Sequence, residues 1–167
     1  MEIKRANYNQ KVGEIFNIKE IDGQLVLFDD NEIRYNGKLE LEYENGQLHS
    51  EGMIRLGLKD GQWKTYYQNN QVKIIENFIL GKREGIYEEF YKENIKKLEL
   101  NYKNDVFYGK YKRYFKTGEI ELEGFYRDGL KEGKWISYHQ NGNIYSKANY
   151  VHDKIGSLSS MGVEKVR

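Results

Sequence analysis

The sequence predicts an all-β fold, an elongated, twisted antiparallel β-meander of tandem hairpin repeats, and three observations carry that prediction. First, Gly37, Gly61, Gly85, Gly109 and Gly133 recur with a 24-residue period. Second, every interval holds a turn pair, Asn45-Gly46, Asn69-Asn70, Glu93-Asn94, Thr117-Gly118 or Asn141-Gly142, residues for which positive φ is cheap or tolerable. Third, no segment keeps a 3.6-residue apolar stripe, and the Tyr and Phe that dominate the intervals are middling helix formers.

Taken in order, residues 1–36 read as an N-terminal cap, a degenerate repeat with Gly13 one period before Gly37 and a turn at Asp22-Gly23. Residues 37–156 read as five hairpin repeats. Residues 157–167 form a C-terminal tail that offers Leu158 and Met161 but no second strand signature, and is expected to close or fray the last repeat. If each turn pair supplies the two central residues of a tight hairpin, the register follows. Tyr43 faces Leu48, Tyr67 faces Val72, Phe115 faces Ile120 and His139 faces Ile144. Further out, Leu39 meets Gly52, Tyr111 meets Gly124, Trp135 meets Ala148, and Trp63 meets Glu76. At the outer ends Gly61, Gly85, Gly109 and Gly133 face Phe78, Tyr102, Tyr126 and Tyr150, where a ring laid across a strand glycine would cover exposed backbone. The third repeat is expected to depart, because Lys96 falls in an apolar column, which suggests a different turn or a bulge at Glu93-Asn94.

Composition narrows the function. In 167 residues there are 27 Lys+Arg against 26 Asp+Glu, 38% hydrophobic residues and no cysteine. The length suits one domain, and the core it can build is thin and rich in Tyr. Without cysteine there are no disulfides, zinc ribbons, thiol nucleophiles or iron–sulfur centres. A net charge of +1 argues against a dedicated binder of nucleic acid or anionic membrane. No run reaches the ~18 apolar residues of a spanning helix, and residues 1–12 lack the apolar centre of a secretory signal. A native start at Met1 therefore implies a cytoplasmic protein; an exported one would require a leader removed ahead of it.

The unit Gly-x-Trp/Tyr-x-x-Tyr/Phe-Tyr/Phe, then Asn-Gly, then an apolar strand ending in Tyr, then Gly-Lys-x-x-Gly, resembles the MORN repeat, particularly its bacterial variant. The resemblance covers Gly37–Gly156 and is best over Gly109–Tyr150. It implies an antiparallel hairpin array that binds a protein partner, since the variant occurs in bacterial YwqK-like antitoxins of toxin–antitoxin systems, where the partner is a cognate toxin. Asn70 and Asn94 replace the turn glycine, Asp105 and Asp153 replace the glycine seen as Gly57, Gly81 and Gly129, and His139 replaces an aromatic. These departures are expected to weaken single repeats.

In that register one face carries Trp63, Tyr67, Ile74, Phe78, Tyr111, Phe115, Ile120, Leu122, Tyr126, Trp135, Ile144 and Tyr150, the core face. The other presents a second aromatic column, Tyr66, Phe90, Tyr114 and Tyr138, repeating about every 10 Å. This column is the candidate partner-binding strip. The competing reading is a self-covered surface, with Lys73 and Lys97 lying over Tyr66 and Phe90 and Tyr138 stacked on Tyr145. No catalytic, cofactor or metal residues are assigned. His49, His139 and His152 fall in different repeats without ligand spacing, His139 and Asp153 have no nucleophile beside them, and residues 129–135 are the ordinary repeat junction rather than a phosphate loop. The sequence therefore predicts a non-enzymatic protein-binding module that needs no cofactor, or else a structural scaffold that pairs with a second copy of itself.

Overall fold

The computed structural model describes residues 3–7 and 16–160. Fifteen strands follow one another: β1 (Ile3–Asn7), β2 (Asn17–Ile21), β3 (Gln24–Phe28), β4 (Gly37–Glu42), β5 (Leu48–Arg55), β6 (Leu58–Tyr66), β7 (Val72–Ile79), β8 (Lys82–Arg83), β9 (Gly85–Phe90), β10 (Lys96–Lys103), β11 (Val106–Tyr114), β12 (Ile120–Arg127), β13 (Leu130–Tyr138), β14 (Ile144–Val151) and β15 (Lys154–Ser160). No helix occurs among the described residues. From β4 onward every strand pairs antiparallel with its successor, the two-residue β8 excepted, as a side piece on β7. The result is the open meander of tandem hairpins that the 24-residue period predicts. β1 pairs parallel with β4 at one edge, and β15 pairs with β14 at the other. The ladder thus continues through Gly156 to Ser160, so the segment read as a tail provides most of the last strand. An edge strand needs only backbone pairing, which leaves little imprint on side-chain pattern. Gly13 and Met161 lie outside the described residues.

The outer register is as the sequence predicts: Leu39 faces Gly52, Tyr111 faces Gly124, Trp135 faces Ala148 and Trp63 faces Glu76. Gly61, Gly85, Gly109 and Gly133 likewise face Phe78, Tyr102, Tyr126 and Tyr150. Near the turns the prediction fails by one residue. The Gly46 N–H donates to the Tyr43 carbonyl at 2.9 Å, and the Tyr43 N–H donates to the Gln47 carbonyl at 2.7 Å. Asn45-Gly46 is therefore not the centre of a two-residue turn; it ends a longer loop whose left-handed residue is Gly46, at φ 79°. The same bonds recur at Tyr67, Tyr91, Phe115 and His139. The extra residue bulges the second strand, so Leu48, Val72, Ile120 and Ile144 face Glu42, Tyr66, Tyr114 and Tyr138 instead. Directly opposed residues share a face, so Ile120 and Ile144 belong to the strip's face and not to the core face.

Two further expectations change. The third repeat does not depart: Phe90 faces Lys96 in the common register, and Lys96 is tied to Glu88 at 2.6 Å and Glu99 at 2.7 Å. Ion pairing lets a lysine occupy a column that is apolar elsewhere. Within the main sheet, the two-residue turns with both residues at positive φ lie at the repeat junctions, from Leu56-Gly57 to His152-Asp153. There Asp105 and Asp153, which stand in place of glycine, accept the backbone N–H of Arg83 at 2.9 Å and of Lys131 at 2.7 Å. Each of these two aspartates thus brings a compensating bond.

Both long edges are stitched. At the junction edge, Gly57, Gly81, Asp105, Gly129 and Asp153 donate N–H to the carbonyls of Tyr35, Lys59, Arg83, Phe107 and Lys131 at 2.7–3.0 Å. At the turn edge, the hydroxyls of Tyr43, Tyr67 and Tyr91 donate to the carbonyls of Tyr66, Phe90 and Tyr114 at 2.8, 2.8 and 3.1 Å. Phe115, next in that column, has no hydroxyl to donate.

The β2–β3 hairpin, turning at Asp22-Gly23, lies outside the main sheet and packs on one end of it. Phe16, Tyr35, Leu39, Ile54, Trp63 and Phe78 make one buried cluster, with Ile18, Leu27 and Leu41 against it. Gly57 fixes the seat. Its carbonyl accepts the Leu27 N–H at 2.9 Å, and a Cβ there would stand 2.5 Å from both the Leu27 oxygen and a Val26 methyl.

Candidate functional site

Alternation along the strands sorts the side chains into two faces. The first bears the hairpin at β4–β7. Farther along, the same face carries a continuous row of rings: Tyr87–Tyr102 at 6.0 Å, Tyr102–Phe107 at 5.1 Å, Phe107–Tyr126 at 5.2 Å, Tyr126–Tyr111 at 5.7 Å, Tyr111–Trp135 at 5.3 Å and Trp135–Tyr150 at 6.1 Å. Arg83 lies 5.3 Å from the Tyr102 ring, and Lys131 4.6 and 5.0 Å from Trp135 and Tyr150, distances at which a cation is held by the ring face. Burial pushes the Tyr87 phenol up to about 12, with Glu89 and Glu76 adding to it. The buried cluster under the hairpin, by contrast, does not extend beyond Phe78.

Trp63 and Trp135 show how the row is seated. Between β5 and β6 the register shifts so that Gly52 alone spans residues 61–63, and the indole of Trp63 lies on Gly52. Trp135 repeats this on Gly124. A Cβ at Gly52 would stand 2.3 Å from indole carbons, and one at Gly124 2.2 Å, so only glycine fits. Large beside small was the sequence expectation, but the ring that needs the space comes from the next repeat.

The predicted strip occupies the second face. Tyr66, Phe90, Tyr114 and Tyr138 are all half-buried. The Tyr66 hydroxyl donates to Glu51 and that of Tyr138 to Glu123, both at 2.6 Å. Burial and the Glu51 bond push the Tyr66 phenol up to about 12; the Glu123 bond, then burial, does the same for Tyr138. The covering lysines lie elsewhere than predicted. Lys73 and Lys97 sit over Tyr67 and Tyr91, and Tyr145 meets His139 edge-on at 5.0 Å. The bulge that shifts the register turns these residues toward the turn column instead of the strip.

Two residues on the second face escaped the sequence reading. Tyr108 and Phe125 are exposed and meet with ring centroids 6.4 Å apart. The signal lay in the repeat: Tyr108 stands where the other repeats have Asn36, Asp60, Glu84 and Glu132. Among the described residues no group of His, Asp and Glu has metal-binding geometry. The junction at residues 129–135 is a turn and strand, as read from sequence.

Fold and faces together define a tandem β-hairpin repeat protein. The family model for the MORN repeat variant matches four successive segments, residues 59–79, 83–104, 107–128 and 131–152. These make up more than half of the chain, which belongs to that family. Comparison with curated proteins gives no match. The family is typically non-enzymatic, and its repeats commonly serve protein interaction.

Proposed function

We propose that this chain is a non-enzymatic protein-binding repeat module whose partner seats on the aromatic row of its last three repeats. One observation carries the reading. Leu39, Ile54, Trp63 and Phe78, which the hairpin buries, recur three repeats later as Tyr111, Tyr126, Trp135 and Tyr150, with no described segment buried against them as the hairpin is. A sheet face rich in aromatic rings is completed by a second layer. In the more specific version, which rests on the resemblance to bacterial antitoxins, the partner is a cognate toxin that the row occludes. The alternative is a scaffold in which two copies appose their rows, since like faces make a self-complementary interface. The strip Tyr66, Phe90, Tyr114 and Tyr138 offers a seat on the opposite face.

The test is co-purification from the native cell, with light scattering of the isolated chain. Tyr111→Ser with Tyr126→Ser should abolish capture of a stoichiometric partner, whereas Tyr66→Ser, Phe90→Ser and Tyr114→Ser together should retain it. The reverse pattern transfers the seat to the strip. A homodimer with no partner, broken by the first pair of changes, identifies the scaffold. For the antitoxin version, co-expression should rescue cells from the captured partner's toxicity; a harmless partner refutes it.

A further inference from the structure

The second face contains a pocket that occurs twice, three repeats apart, with different charge. The first copy, about 220 Å³, is lined by Lys38, Glu51, Gly52, Met53, Gln62 and Lys64. Lys38 there bonds Glu40 at 2.7 Å and Glu51 at 2.5 Å, so its charge is matched within the fold. The second copy, about 320 Å³, has Lys110, Glu123, Phe125, Lys134 and Ile136 at the positions of Lys38, Glu51, Met53, Gln62 and Lys64, so one lysine is lost as another is gained, and it is lined by Lys112 as well. Lys112 stands at the position of Glu40. Where the first copy pairs one of its two lysines, Lys38, the second sets three lysines around Glu123, whose carboxylate, like that of Glu51, accepts a tyrosine hydroxyl. No ion pair of 4 Å or less involves these lysines among the described residues.

Beside this pocket the repeat gives up a bond to display a ring. Asn36, Asp60, Glu84 and Glu132 each accept a backbone N–H of the following junction, from Leu56, Leu80, Asn104 and His152, at 2.7–3.2 Å. Tyr108 holds the equivalent place before Asp128 and makes no such bond among the described residues. It meets Phe125, which lines the pocket, and Lys103 lies 5.3 Å from its ring. Two departures from the repeat thus touch each other in the open, next to three lysines of which Lys112 stands cross-strand from Glu99 and Glu123 but none is ion-paired within 4 Å among the described residues.

The geometry points to a seat for an acidic, extended peptide segment of a partner protein, with an aromatic or aliphatic residue beside its carboxylates. Lys110 and Lys112 are two residues apart on one strand, roughly 7 Å, and Lys134 lies two strands away, roughly 10 Å. Alternate acidic residues of an extended segment share the 7 Å spacing, and the Tyr108–Phe125 pair receives the apolar neighbour, as exposed aromatics do at interface hot spots. The neighbouring Glu88, Glu99 and Glu132 interrupt any longer basic track, which disfavours a nucleic-acid backbone. This inference rests on the protein-binding reading but uses the face opposite the aromatic row.

The probe is a fluorescein-labelled peptide, Glu-Trp-Glu-Gly-Glu-Trp-Glu, titrated against the full chain by anisotropy at low and physiological salt, with the lysine analogue and a ten-nucleotide thymidine strand as comparators. Binding of the acidic peptide should weaken with salt and fall about tenfold or more with Lys110→Gln, Lys112→Gln and Lys134→Gln combined. Tyr108→Glu should weaken it separately. Gln62→Lys, which adds charge to the first pocket, should leave the affinity for the second unchanged. Absence of binding, indifference to the lysine changes, or tighter binding of the oligonucleotide would overturn the inference. If the cellular partner is lost with Tyr111→Ser and Tyr126→Ser but not with the lysine changes, the pocket fails while the protein-binding reading stands. If no partner exists, that reading fails and the peptide titration still decides the pocket.

Discussion

The two ends of the sheet repeat one surface and finish it differently. At β4–β7 the hairpin covers it, Trp63 is sealed among Phe16, Tyr35 and Phe78, and its indole N–H donates to the Met53 carbonyl at 3.1 Å. Under the hairpin Lys59 lies 4.3 Å from the Trp63 ring and 4.8 Å from Phe78, and burial drives its ammonium pKa down. At β11–β14 the rings seal only one another. Trp135 is as buried as Trp63, 3% exposed in both cases, yet its N–H has no acceptor among the described residues, an omission that costs about 1–3 kcal/mol. A repeat unit therefore does not carry a finished core. It carries half of one, and what supplies the other half decides whether the surface stabilises the fold or recognises something else.

The largest expected effect is on the two tryptophans. Trp63→Ala should cost about 3–5 kcal/mol in denaturant unfolding, the range for a large ring removed from a closed core. Trp135→Ala should cost about half of that, because neighbouring rings can settle into the gap. Equal costs would break the comparison, since the hairpin would then add nothing. Next comes Gly57→Ala against Gly129→Ala. Both oppose a positive φ, but only the first drives a methyl into the hairpin backbone; the second meets a Val106 methyl at 3.2 Å. Expected losses are about 3 and about 1 kcal/mol, with Trp63 fluorescence shifting red only in the first.

Alkaline titration sharpens the contrast further. The folded pKa values of Tyr66 and Tyr138, at about 12, lie above the ordinary 10.0. The unfolded chain therefore loses these protons first. Their stabilisation is complete below pH 10 and is lost as pH rises through 10 toward 12. Lys59 works in the opposite sense: its folded pKa is lowered from 10.5, so rising pH relieves the cost of burying its charge and partly offsets the loss at the capped end. Glu123→Gln should bring the Tyr138 absorbance titration back toward 10, because that bond is the leading cause there. Glu51→Gln should leave Tyr66 raised, since burial leads at that site. The smallest effect is a gain. Phe115→Tyr adds the hydroxyl missing from the turn-edge ladder opposite the Tyr138 carbonyl and should stabilise the last repeats by about 0.5–1.5 kcal/mol, read as slower hydrogen exchange in β13 and β14.

Much of this was legible in the chain itself. The period gave the meander, and the pairings Leu39–Gly52 and Gly109–Tyr126 followed from counting outward from the turns. The turn type was not legible, because Asn-Gly suits either the centre of a two-residue turn or the left-handed end of a longer one, and only the bulge at positions such as Glu121 separates them. That single residue moved Ile120 and Ile144 to the other face. The hairpin's place was hidden as well. Its seat depends on Gly57 being approached by Val26 and Leu27, a contact across 30 residues with no trace in either local pattern. Tyr108 was visible in principle, as the one member of its column unable to act as a carboxylate or amide acceptor, but only a column-by-column reading isolates it.

The stitching along both edges also bears on how such a chain can change length. Every tyrosine hydroxyl in the ladder reaches 23 residues ahead, and every junction N–H reaches 22 back. Duplicating or excising one whole 24-residue segment leaves each of these partners in phase, whereas any other insertion within a strand puts both edges out of step at once. Genetic duplication can therefore lengthen the array by whole units, extending the ring surface by a fixed increment, while the hairpin continues to finish the same end.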